Sequence, residues 1–138
     1  MYPENYDITV VQGDTARWSK FFTDAISGST FIFTGGQDVV YLSVRTGYYP
    51  APLVANYTLG VLQGMTLATP LGLTGGIGVA SGTTGGTCNF CIGSSFTNEM
   101  PTDRMCKYDF KVLDASTESV ITLLRGNIQV LPKTTDIP

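Results

Sequence analysis

Two stretches near the end of the chain restrict its fold more than any other feature. In RMCKYDFKVL, from Arg104 to Leu113, the residues Cys106, Tyr108, Phe110 and Val112 fall on one side. Met105, Lys107, Asp109 and Lys111 take the other. In VITLLRGNIQVL, Val120, Thr122, Leu124, Ile128 and Val130 recur on even positions. A period of two belongs to a strand whose side chains alternate between two faces. The polar linker Asp114 to Ser119 joins the two runs, so together they read as a long antiparallel hairpin.

The rest of the chain continues that pattern. Tyr6 to Val11 is β-branched and ends at the turn signal Gly13-Asp14. Ala16, Trp18 and Phe22 share a face opposite Arg17 and Ser19, and Val40, Leu42 and Val44 share one opposite Tyr41, Ser43 and Arg45. Phe31 to Phe33 is a short apolar run between the turn signals Ser27-Gly28-Ser29 and Thr34-Gly35-Gly36. No long stripe at helical spacing is present, and Asp24-Ala25-Ile26 is the best place for a helical turn. Many short strands separated by turns predict one all-β domain over residues 1–138, an antiparallel, Ig-like β-sandwich with long loops. Eight of the 22 residues from Gly72 to Gly93 are glycine, which disfavours a regular strand interior. An irregular glycine-rich excursion is therefore expected over about 72–95.

Composition narrows the function. The 138 residues suffice for a real core, and only 14% are charged. A net charge of −3 with scattered Lys and Arg argues against nucleic acid, whose phosphates need clustered cations. No apolar run approaches the roughly 18 residues of a membrane helix, and the N-terminus has no basic and apolar leader pattern. No membrane partner is expected, and a reducing cytoplasm fits. The chain has no histidine, which removes the commonest general base and the usual activator of Ser or Cys. No enzyme activity and no cofactor are expected.

Cysteines give the one hint of site chemistry. Cys88 and Cys91 form a Cys-x-x-Cys pair, and Cys106 follows. With a carboxylate such as Glu99 or Asp103 they make a zinc alternative. A thioredoxin-like site would need a helix starting at the motif, and Gly93-Ser94-Ser95 is poor helix material. The simpler reading makes Cys106 a small core residue and leaves Cys88 and Cys91 as loop thiols, with no metal. Gly75 to Gly82 lacks the following helix and acidic partner of a dinucleotide loop. In TGYYPAP, Thr46 to Pro52, the residues Tyr48 and Tyr49 precede two prolines in a segment too proline-rich for a central strand. Exposed tyrosines on such a loop suit protein contact, and a loop packed on the sandwich edge is the alternative.

Two stretches carry a resemblance. YDITVVQGDTARW at the start and YDFKVLDASTESVITLLRGNIQVLPKTTD at the end resemble the N-terminal domain of upper-baseplate and tail-fibre proteins of tailed phages. Gly13-Asp14-Thr15 and Trp18 match its first element. Phe33-Thr34-Gly35 with Val44-Arg45 matches the second loosely, and Tyr108-Asp109 with Thr122-Leu123-Leu124-Arg125-Gly126 matches the third closely. The matches cover about half of the chain; Ile32-Phe33 replaces an acidic position, and the glycine-rich stretch has no counterpart. The resemblance implies a β-sandwich that attaches a fibre or receptor-binding part to the particle. With no coiled coil or receptor-binding head in these residues, it implies the attachment module alone. The expected role is a virion structural protein and adaptor in tail, baseplate or fibre attachment. Its partners would be other virion structural proteins, in a homo-oligomer or symmetric array. Tyr48, Tyr49 and Phe90 are the expected contact residues. A capsid decoration or cement protein is the first alternative, and a small carbohydrate- or receptor-binding module using the tyrosines and Trp18 is the second.

Overall fold

The computed structural model describes residues 3–23, 38–59, 75–79, 87–114 and 118–135. The suggested helical turn at Asp24 to Ile26, the Phe31 to Phe33 run and the Thr34-Gly35 motif lie outside them. The described chain is mostly β. Its elements are β1 (Glu4–Asn5), β2 (Ile8–Val11), β3 (Ala16–Phe21), β4 (Asp38–Arg45), β5 (Leu53–Leu59), β6 (Gly75–Val79) and β7 (Thr87–Ile92). A four-residue helix α1 (Ser94–Thr97) precedes β8 (Cys106–Asp114) and β9 (Ser119–Leu131).

The strands form two sheets. In the larger, β9, β8, β4 and β5 follow one another antiparallel, and β1 and β2 both pair with the free edge of β9. Those two run parallel to β9, with Glu4 opposite Leu124 and Ile8 opposite Ile128. The register offset is the same for both, so they are one strand interrupted at Tyr6-Asp7. The interruption stays hydrogen-bonded: the Tyr6 N–H donates to the Arg125 carbonyl (3.0 Å), and the Asp7 carboxylate accepts the Asn127 N–H (2.9 Å). The large sheet is thus mixed rather than purely antiparallel, a correction to the expectation from sequence. Alternation within the first strand is legible, but its partner lies more than a hundred residues away, beyond the reach of local pattern.

The smaller sheet, in the order β3-β7-β6, is antiparallel. Where the stretch is described it corrects the irregular excursion expected over 72–95, because β7 is its central strand and β6 is built from Gly-Gly-Ile-Gly-Val. The reason is energetic. Thr87–Ile92 buries Cys88, Phe90, Cys91 and Ile92 and has a partner strand on each side. That burial outweighs the conformational entropy of the glycines beside it. Of the expected stretch, residues 72–74 and 80–86 lie outside the described residues.

The two sheets share one hydrophobic core. Trp18 stacks on Phe90 (5.2 Å between centroids) and meets Tyr108 of the larger sheet edge-on (5.3 Å). Phe110 meets Phe90 edge-on (4.9 Å) and stacks with Phe22 (5.9 Å). The inward faces read from β3, β4 and β8 are all buried: Ala16, Trp18 and Phe22; Val40, Leu42 and Val44; Cys106, Tyr108, Phe110 and Val112.

β9 departs from its expected face. Phe110 pairs with Leu124, but Lys111 pairs with Thr122, so Leu123 is an extra residue in a bulge. Both Leu123 and Leu124 are buried, whereas Val120 is 60% exposed. The even-position face therefore holds for Leu124, Ile128 and Val130 and fails for Val120 and Thr122, which the bulge turns outward.

Candidate functional site

The residues opposite the core on the larger sheet form a polar floor. Cross-strand register sets it in three rows. Arg45, Lys107 and Asn127 make the first. Asn56, Ser43, Asp109, Arg125 and Asn5 make the second, across all five strand positions. Tyr41, Lys111 and Thr122 make the third. Residues two apart on a strand share a face about 6.8 Å from each other, so the rows tile one surface. These are the outward positions of β4 and β8 that alternation separates from the core.

Side-chain bonds knit the floor. Ser43 donates to the Asn56 amide oxygen (3.0 Å), Lys111 donates to Thr122 Oγ1 (2.7 Å), and Lys107 donates to Asn127. The Tyr48–Pro52 loop, which joins β4 to β5, rises beside this floor as a wall. Its base is closed by the Thr46 N–H to the Pro52 carbonyl (3.0 Å) and the Ala51 N–H to the Tyr48 carbonyl (2.8 Å). The Tyr49–Pro50 peptide bond is cis. Arg45 donates to the Ala51 carbonyl (2.8 Å) and lies over the Tyr49 ring at 4.8 Å. Lys107 lies over the Tyr48 ring at 4.7 Å. Floor and wall together line a groove of about 1020 Å³.

The three residues expected to make contacts divide sharply. Tyr48 and Tyr49 are 70% and 80% exposed, and both line the groove. Phe90 is buried at 1% exposure beneath Trp18. Its role as a contact residue is therefore corrected: it belongs to the core. Trp18 is buried as well, so it offers no aromatic platform to a saccharide. The groove itself is not legible in the sequence. Its signal lies in the outward positions of β4 and β8, but strand register is needed to bring them together.

The cysteines do not converge. Cys88 and Cys91 are three residues apart on β7, so they point to opposite faces of the smaller sheet. Cys88 faces the shared core with Phe90, and Cys106 enters that core from the larger sheet. All three are free and buried, and no cluster of three metal-ligating side chains occurs among the described residues. Burial pushes the Cys88 thiol far above its ordinary value. Cys106 is also raised by burial, with Arg104 pulling it back. Neither is a poised thiolate nucleophile.

One further cluster fixes the geometry below the groove. The Tyr108 hydroxyl donates to the Tyr6 carbonyl (2.6 Å). Gly126, opposite Tyr108 on β9, lies directly beneath that carbonyl, and a Cβ there would collide with it. Burial, then the charge of Asp7 and the neighbouring Tyr6, hold the Tyr108 phenol above its ordinary value. Elsewhere in the fold, Thr97 of α1 is buried and donates to the Asp14 carbonyl (2.6 Å). Gln12 donates to the carbonyls of Asn98 (3.1 Å) and Met100 (3.2 Å). Gly13, at φ +87°, makes the turn between β2 and β3 that this contact clamps.

The fold and groove define a mostly β protein with a polar, aromatic-walled surface. No protein-family model matches the chain, and no curated protein matches it. No helix among the described residues is long and apolar enough to cross a membrane.

Proposed function

We propose that this chain is a non-enzymatic structural protein of a tailed-phage particle, an Ig-like attachment module of the tail, baseplate or fibre base. The observation that carries the reading is the Tyr48–Pro52 wall. Two tyrosines stand exposed on a short loop, each ring backed by a cation of the sheet below. Rigid, amphipathic aromatics beside arginine are the side chains that dominate protein–protein contacts. The resemblance adds to this, because its motif residues occupy joints of the fold. Gly13 and Asp14 form the clamped turn, Trp18 and Tyr108 meet in the core, and Gly126 underlies Tyr6. The buried thiols and the lack of histidine leave the groove without a Ser–His or Cys–His pair.

Quantitative mass spectrometry of purified particles, separated into heads and tails, tests this reading. The chain is expected at fixed stoichiometry in the tail fraction. Enrichment in heads would replace the tail assignment with capsid decoration, and absence from both would end the virion reading. The double variant Tyr48→Ala/Tyr49→Ala should keep its fold while its incorporation falls at least about tenfold, the scale of losing one contact hot spot.

A further inference from the structure

We infer that the groove on the outer face of the larger sheet receives an acidic segment of a protein partner, with the two tyrosines packing against that segment's apolar residues. Charge is the first reason. The chain has eight Lys and Arg against eleven Asp and Glu. Four of the eight cations, Arg45, Lys107, Lys111 and Arg125, line this one groove, with Asp7 and Asp109 as its carboxylates. A protein that is acidic as a whole therefore places half of its positive charge on one concave face.

The second reason is that these charges are only partly neutralised from within, since two carboxylates, Asp7 and Asp109, stand among four cations, with Asp109 opposite Arg125. The ion pair between Arg104 and Asp103 joins two exposed residues outside the groove. Lys107 and Lys111 meet neutral Asn127 and Thr122, and Arg45 meets a backbone carbonyl and a ring. Each keeps further N–H donors for an incoming carboxylate. Lys107 and Lys111 stand about 13 Å apart along β8, at an extended-strand rise. That span suits several residues of extended chain.

The third reason selects protein over other polyanions. Asp109 lies in the middle row between Ser43 and Arg125, and Asp7 lies at the edge. A phosphate backbone, charged at every step, would be driven against both carboxylates, whereas a polypeptide can place a neutral residue opposite them. The wall is tyrosine with Arg45 of the floor against the Tyr49 ring, residue types enriched in protein hot spots. The inference rests on the attachment reading only for where the segment comes from, namely a neighbouring subunit.

The test is an amide-resolved NMR titration of the whole chain with four probes at low salt. They are a twelve-residue Glu/Leu/Gly peptide, its Lys/Leu/Gly counterpart, an oligogalacturonate and single-stranded oligothymidylate. The acidic peptide should shift the amides around Arg45, Tyr48, Lys107, Lys111 and Arg125, with an apparent Kd at or below about 1 mM. The effect should weaken several-fold when salt rises to physiological strength. The charge variant Lys107→Gln/Lys111→Gln, checked for an unchanged fold, should bind at least about tenfold more weakly.

No shifts at that concentration, shifts elsewhere on the surface, or unchanged binding by the charge variant would overturn the inference. So would preferential binding of the uronate or the oligonucleotide, or a dilution-dependent shift without ligand that marks self-association through this face. Fractionation of particles fails or succeeds separately. A chain found in tails whose charge variant still incorporates would remove the acidic partner and leave the attachment reading. A groove that binds the acidic peptide in a chain absent from particles would do the reverse.

Discussion

A single carbonyl, that of Tyr6, organises the junction where the first strand breaks. It accepts from the Tyr108 hydroxyl and sits over the bare Cα of Gly126. Glycine is required there for space, because a methyl group would meet the carbonyl and also crowd the Tyr108 ring at 3.1 Å. Gly126→Ala should therefore destabilise the domain by about 2–4 kcal/mol, as expected of overpacking against backbone. Tyr108→Phe keeps the ring against Trp18 and loses only the hydroxyl, at a cost of about 1 kcal/mol. Urea unfolding of both variants checks the order; equal losses would mean that the hydroxyl, not the close approach, sets the junction.

Among the elements, β9 shows where alternation can be trusted and where it cannot. From Leu124 to Val130 the pattern of two predicts burial correctly, and the inserted Leu123 then shifts the phase for everything before it. Strict alternation makes Val120 a core residue and Leu123 a surface one. The bulge reverses both. Leu123→Ala is expected to cost about 2–5 kcal/mol, and Val120→Ala less than about 0.5 kcal/mol, by chemical denaturation. β4 and β8 are legible because their apolar residues alternate without interruption, and β3 because Lys20 alone breaks the face of Ala16, Trp18 and Phe22. β6 and β7 are not, since glycine count measures backbone entropy and carries no information about the strands that flank it. The same limit hides the groove: Tyr48 and Tyr49 can be picked out from their proline-rich loop, but the floor beside them depends on register between β4, β8 and β9. Phe90 is misread from sequence for a related reason, as the glycines around it suggest a surface loop.

At the scale of the whole molecule, closing one sheet over the other buries groups whose charged forms are thereby penalised. Cys88 sits in that interface, with a thiol raised above its ordinary 9.0, and Tyr108 has a phenol raised above its ordinary 10.0. As pH climbs past about 9, the unfolded chain releases these protons while the folded one retains them. The unfolded state then binds fewer protons, so stability falls with rising pH. The contribution is complete below about pH 9 and shrinks above it, first through Cys88 and Cys106 and then through Tyr108. Urea midpoints measured from about pH 7 to about pH 11 should be level at first and then decline, and Cys88→Ala should make the early decline shallower. A level profile across that range would contradict the burial of these groups. The parallel pairing of the first strand with β9 has a different, mechanical consequence. Glu4 lies beside Leu124 and Val11 beside Leu131, so the described chain enters at one end of the larger sheet and leaves β9 at the other. Tension applied between those two points runs along the strands and loads their hydrogen bonds together in shear, instead of peeling them apart one at a time.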